Sequence, residues 1–163
     1  MASQEQLKWE GKLTKQLHGS TQEQIWSFFE DFGNIHKYHP FLDTCYYVEG
    51  ANAQPGSIRY CGASVGNEGE IKWCKEKLVE INPMEKSMKY EVSDNNFGIS
   101  SYETSIKVLP SNEEVGGCQI EWSFVGEPVE GFTFEGYFGF LESILQGMVE
   151  KMEKELLSSV KST

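Results

Sequence analysis

Basic side chains are scarce in this chain. Fourteen Lys plus Arg stand against 25 Asp plus Glu in 163 residues, a formal net charge of −11. Such a balance repels a phosphate backbone and an anionic membrane surface alike. It argues against nucleic acid as a partner, and the acidic excess reads as solvated surface. Cysteine is sparse too. Cys45, Cys61, Cys74 and Cys118 are scattered, without a C-x-x-C pair or histidines at zinc-site intervals, so reduced thiols and no metal centre are expected. His36 and His39 lie three apart, but Pro40 interrupts their segment and no carboxylate or thiol completes a site, so they read as solvent-facing. No apolar run approaches a membrane span, and the first residues hold no apolar leader, Arg-rich transit pattern or acylation glycine. The expectation is a cytoplasmic protein without membrane insertion. Glycine-rich phosphate loops are absent, and no serine has a histidine partner for a hydrolase triad, so no nucleotide or other cofactor is expected.

Aromatic side chains are plentiful. Ten Phe, seven Tyr and four Trp supply both a core and the walls of a pocket. The length suits one domain over residues 1–163, large enough to bury a core without disulfides.

Periodicity orders the elements. Leu7, Trp9, Leu13 and Leu17 occupy alternating positions, the period of a half-buried strand. After Gly19, either Ser20 with Glu23 or Thr21 with Gln24 offers a capping box, and Ile25, Phe28, Phe29 and Phe32 follow at helical spacing. Gly33-Asn34 stops that helix, and Ile35 to Tyr38 has room for one more turn before His39-Pro40. Six extended segments come next: Cys45 to Glu49, Ser57 to Cys61, Glu70 to Ile81, Ser87 to Val92, Ser101 to Leu109 and Cys118 to Val125. The turns between them are short enough to favour hairpins over parallel crossovers. Beyond Pro128 and Gly131, Phe134, Phe138, Leu141, Leu145, Met148 and Met152 recur every three or four residues. A long helix with one apolar stripe must bury it on one face of the sheet. The expectation is an α+β helix-grip fold: a seven-stranded curved antiparallel sheet wrapped around a long C-terminal helix, with two short helices after the first strand. A small apolar or amphipathic ligand would enter between helix and sheet, and a monomer is expected.

The element order and Pro55-Gly56-Ser57-Ile58-Arg59 at the turn into the third strand resemble the Bet v 1 and START-like superfamily. Within it the chain resembles the lachrymatory-factor synthases, a plant enzyme family of the polyketide cyclase/dehydrase-like group. Lys8-Trp9-Glu10-Gly11-Lys12, Asp31-Phe32, Trp73-Cys74-Lys75-Glu76-Lys77-Leu78, Tyr102 and Glu121-Trp122-Ser123-Phe124 carry the resemblance. It implies isomerisation of an alkenyl sulfenic acid to a thial S-oxide, and it places the cavity arginine, glutamate and tyrosine at Arg59, Glu76 and Tyr102. Gly62 to Glu70 and Phe97 to Ser101 depart from that family's pattern.

Strand parity bears on the trio independently. Tyr102 shares its parity with Ile106 and Val108 and so faces the apolar side. Arg59 goes with Cys61, and Glu76 with Cys74 and Leu78, but Ile71, Trp73 and Val79 take the opposite parity, so that strand must be bulged or buried on both faces. Trp73, Tyr90, Trp122, Phe124, Phe138, Leu141 and Leu145 are the expected cavity wall. On their own chemistry the three polar residues fit two readings. One is a proton-relay site with Arg59 on a polar head group; the other is a buried ion pair that merely sets the sheet register. The corresponding functions are a cofactor-independent isomerase, cyclase or dehydratase, and a carrier or sensor of an apolar ligand. The loops that match the gate and latch of plant hormone receptors in the superfamily read Gly62-Ala63-Ser64-Val65-Gly66 and Ser93-Asp94-Asn95-Asn96-Phe97, which argues against hormone gating.

Overall fold

A computed structural model describes residues 8–66, 68–111 and 117–161 of the chain. Leu7 of the expected first strand and residues 112–116 of the expected Pro110 to Gly117 turn lie outside the described residues. Strand β1 (Trp9–Leu17) is followed by α1 (Gln22–Glu30), a 3₁₀ segment (Phe32–Lys37), then β2 (Thr44–Glu49), β3 (Ile58–Val65), β4 (Glu70–Asn82), β5 (Ser87–Asn95), β6 (Tyr102–Pro110), β7 (Cys118–Gly126) and α2 (Phe134–Lys161). The seven strands form one antiparallel sheet in the order β1-β7-β6-β5-β4-β3-β2. Consecutive strands from β2 to β7 are hairpin neighbours, and β1 closes on β7. Among the described residues no helix is long and apolar enough to cross a membrane.

Local chemistry explains the helix boundaries. Of the two candidate capping boxes the second forms: the Gln24 amide N–H donates to Thr21 Oγ1 at 3.1 Å, and the Thr21 N–H donates to Gln24 Oε1 at 2.9 Å. Helix α1 stops at Glu30, short of the expected Phe32, because Asp31 leaves helical geometry at ψ 65°. Phe32 therefore belongs to the 3₁₀ segment, which is kinked at Asn34.

Strands β6 and β7 alternate buried and half-exposed residues almost without fault, as a sheet with one wet face requires. Strand β4 resolves the parity conflict. Its pairing with β5 slips twice, leaving Ser93 unpaired opposite the Lys75–Glu76 step and Val79 unpaired between Leu78 and Glu80. Ile71, Trp73 and Val79 share the outward face by simple alternation, the first and last of them exposed, while Leu78 is fully buried; the slip at Val79 then brings Ile81 level with buried Met88. The core forms where the inner sheet face meets α2 through Tyr137, Leu141, Ile144, Leu145, Met148, Val149 and Met152.

Two glycines let these layers approach. A Cβ at Gly11 would come within 2.8 Å of the Phe124 ring, and one at Gly147 of α2 within 2.8 Å of Pro40 Cγ. The second contact seats the His39-Pro40 loop directly on α2.

Candidate functional site

Arg59 is the sole arginine of the chain, beside thirteen lysines. It lies on the inner face of β3 and is 4% exposed. Its guanidinium is packed between two aromatic rings, 3.8 Å from the Phe32 centroid and 4.8 Å from that of Tyr90. Nε and Nη2 each donate to Glu76 Oε1 at 2.8 Å, and Nη1 donates to the Phe32 carbonyl at 2.9 Å. Three of its five N–H groups are thus spent on the protein. Burial is the largest single influence and works against the cation, but the Glu76 carboxylate, helped by the Cys61, Tyr90 and Cys45 groups around it, outweighs it and holds the guanidinium charged. Arginine suits this place better than lysine: a planar, weakly hydrated fork stacks between rings and still makes parallel bonds.

Glu76 faces Arg59 directly across the β3–β4 ladder. Both Arg59 bonds fall on Oε1, which leaves Oε2 outside the ion pair. A row of three thiols runs beside it, because Cys45 pairs with Cys61 across β2–β3 and Cys61 with Cys74 across β3–β4. The Cys45 and Cys61 sulfurs are 3.7 Å apart, and Cys61 Sγ is 3.8 Å from Glu76 Oε1. The hydrogen bond from Cys61 brings the Cys45 thiol down to about 7, while that same contact and burial raise Cys61.

Tyr102 opens β6. It stands one step past the Glu91–Glu103 pair, level with Val92, which itself pairs with Glu76. Arg59, Glu76 and Tyr102 therefore lie along one transverse row of the inner face. The Tyr102 ring stacks on Phe124 at 5.9 Å and meets Tyr137 edge-on at 5.9 Å. Its hydroxyl makes no hydrogen bond of good geometry among the described residues, although the Tyr137 phenol is its near neighbour, and burial first, then Tyr137, hold the phenol well above its ordinary range.

All three side chains line one cavity of about 180 Å³ between the sheet and α2. For scale, an engineered apolar cavity of about 150 Å³ binds benzene. Trp73, Tyr90, Trp122 and Leu141 also border it. The Trp73 ring, however, stacks on Tyr60 at 6.0 Å in an outward row with Tyr46, as its parity demands. Three expected wall residues stand elsewhere, and the reading is corrected for them. Phe124 is buried behind Tyr102, and half-buried Phe138 packs against Phe124 at 6.4 Å, so both belong to an aromatic cluster under the first turns of α2. Leu145, 3% exposed, fills core beside the cavity without bordering it. Cys61, Cys74, Thr104 and Tyr137 complete parts of the wall that the sequence reading did not include.

His39 is a second correction. It lines the cavity, where the sequence suggested a solvent-facing residue. Its Nδ1 accepts the N–H groups of Phe41 at 3.1 Å and Leu42 at 3.3 Å, which puts the ring proton on Nε2. Lys151 of α2 donates to its carbonyl at 3.4 Å. No group of three or more His, Cys, Asp or Glu among the described residues is arranged to hold a metal ion. Burial first, then the Arg59 and Lys151 charges, push the imidazole pKa down to about 4. An unfolded histidine protonates near 6.5. As pH falls from about 6.5 towards 4 the unfolded chain gains a proton that the folded chain refuses. Stability present above that window is lost across it, by about 3 kcal/mol in all. Urea unfolding at pH 7 and pH 4.5 measures this. In His39→Asn, which keeps an acceptor for the two N–H groups, the pH dependence should shrink by about 2 kcal/mol. Equal pH dependence in both proteins would falsify the assignment.

Solved structures share this overall fold. The XoxI protein of Bacillus cereus superposes with a TM-score of 0.71 at 20% identity, over 91% of this chain and 95% of that one. Ginseng major latex-like protein 151 from Panax ginseng superposes at 0.69 and 20% identity, over 87% of this chain and 95% of that one. At such identity these neighbours speak for the fold alone. The sequence goes further, since residues 14–157 match one family along nearly the whole helix-grip unit. The cavity and its buried Arg59–Glu76 pair are thus set in a member of the polyketide cyclase/dehydrase and lipid transport family.

Proposed function

We propose that this protein takes a compact, largely apolar metabolite into the cavity and isomerises it by proton transfer, without a cofactor. The observation that carries the reading is the convergence of Arg59, Glu76 and Tyr102 on one benzene-sized cavity. Glu76 is the proton carrier, through Oε2. Arg59 acts differently from the sequence expectation. Its bonds to Glu76 and Phe32 make it a positioning residue that holds and aims the carboxylate, rather than the anchor of a substrate head group. Tyr102 supplies an unspent donor to an oxygen that gains charge. For an alkenyl sulfenic acid, the substrate class of the lachrymatory-factor synthases, Glu76 would take the S–O–H proton and return it to the far alkene carbon. The C=C pair forms that new C–H bond while a sulfur lone pair makes C=S and the O–H pair stays on oxygen, leaving the thial S-oxide, with no atom or electron gained or lost.

A carrier of an unchanged apolar ligand is the second reading, favoured by the chiefly aromatic and aliphatic wall. Its ligand would have to be small. Sites for drug-sized molecules run from about 300 to 1,000 Å³, and the cavity is about 180 Å³.

Tyr102→Phe separates the two readings. It removes a hydroxyl that makes no hydrogen bond of good geometry and whose near neighbour is the Tyr137 phenol, so the melting temperature should change little. Turnover of an alkenyl sulfenic acid generated in situ should fall about 10²–10³-fold, the usual cost of one donor to a developing charge. Undiminished turnover in the variant, or none in the wild type, leaves the carrier.

A further inference from the structure

Four buried side-chain polar atoms lack a hydrogen-bond partner among the described residues: Trp26 Nε1, His36 Nδ1, Tyr102 Oη and Trp122 Nε1. Only the tyrosine and Trp122 line the cavity. A buried indole N–H without an acceptor is costly, and side chains left so in a folded protein commonly await a water or a ligand. Trp122 is 8% exposed, so bulk solvent does not serve it.

Its place on the sheet is informative. Trp122 pairs with Ile106, whereas Tyr102 pairs with Gly126, so the two donors sit four residues apart along the β6–β7 ladder. That is about 13 Å between their backbone levels. Tyr102 shares its level with Glu76; Trp122 belongs to the level of Met88 and Ile106, which are apolar. The cavity therefore has a charged end and, farther along, a single neutral donor. Both cations on the wall are already paired, Arg59 with Glu76 and Lys72 with Glu70, so an anionic group beside Trp122 would find no free counter-charge.

We propose that the ligand is bifunctional: besides the group handled by Glu76 and Tyr102, it carries a second, uncharged acceptor oxygen that takes the Trp122 N–H. A ketone, ester or ether oxygen across a short apolar spacer fits; a simple hydrocarbon tail does not. Trp122 is then a specificity-determining residue, rejecting analogues that leave its N–H bare. The proposal rests on the cavity being a ligand site and not on proton transfer by Glu76.

The test uses the whole chain and two probes, cyclohexane-1,4-dione and methylcyclohexane, followed by ¹⁵N NMR of the four tryptophan indoles. Trp122→Phe assigns the resonance, and phenylalanine variants of Trp9, Trp26 and Trp73 assign it by elimination if that protein fails to fold. The dione should move the Trp122 indole proton downfield and bind about 5–10-fold more weakly to Trp122→Phe, the loss of one good hydrogen bond. Methylcyclohexane should leave the resonance in place and bind the wild type more weakly than Trp122→Phe, which has no N–H to leave bare. A dione that binds without moving the resonance, equal dione affinity in a folded Trp122→Phe, or no binding of the dione to the wild type each overturns the proposal. Neither arm measures turnover, so an inactive but discriminating protein would refute the isomerase reading and leave this one standing.

Discussion

Glu76→Gln will lower the unfolding free energy by about 3–5 kcal/mol, because it strands the buried Arg59 charge. The guanidinium is 4% exposed and its one carboxylate partner among the described residues is Glu76. The neutral amide retains a hydrogen bond but no compensating charge, and the Phe32 and Tyr90 rings return only part of the loss. Urea denaturation of four proteins decides it: wild type, Glu76→Gln, Arg59→Met and the double variant. Each single change should be costly, and the double variant should recover much of the loss, since removing both charges of a buried pair is often near neutral. A cost below about 1 kcal/mol for Glu76→Gln would show that water reaches the pair. The coupling also bears on catalysis: lost activity in Glu76→Gln reports on the folded site only where the variant is still folded. Tyr102→Phe carries no such penalty and is the cleaner catalytic probe.

Leu145→Ala should destabilise the protein by about 2–5 kcal/mol, and Leu141→Ala by distinctly less. The two leucines are one helical turn apart on α2, and both are buried. Only Leu141 borders the cavity; Leu145 is packed on all sides. Truncating Leu145 opens a new void in dense core, whereas truncating Leu141 removes a side chain already short of neighbours on one side and widens an existing space. Matched urea titrations give both values. A larger loss for Leu141 would mean that the cavity boundary is misplaced.

How much of this was legible beforehand varies by residue. The alternation of β6 and β7 is nearly perfect in burial, so Tyr102 and Trp122 could be turned inward from parity alone. Glu76 could not be placed so firmly, because apolar Ile71, Trp73 and Val79 hold the opposite parity, and only the assembled sheet shows theirs to be the outward face. His39 was misread for a related reason. Its half-buried place on the cavity wall goes with Pro40 resting against Gly147, more than a hundred residues away, and no local pattern carries that contact. One usable signal went unread: beside thirteen lysines in the sequence, a single arginine marks the position where a planar, buried cation is needed.

The amino-acid sequence by itself determined the order of the elements, the inward face of most strands and the apolar stripe of α2. Each of these is written in spacings of two or of three to four residues, and backbone geometry reads such spacings without help from distant parts of the chain. Tertiary structure alone decided which buried side chains became wall and which became core. Phe124, Phe138 and Leu145 satisfy the same periodicity as Tyr102 and Leu141 yet stand behind or beside the cavity. It also decided that Arg59 would spend its bonds on Glu76 and Phe32, and that the Tyr102 and Trp122 donors would be left without partners. Periodicity specifies a direction relative to the backbone; whether space or another side chain lies in that direction is settled by how far the helix stands off the sheet.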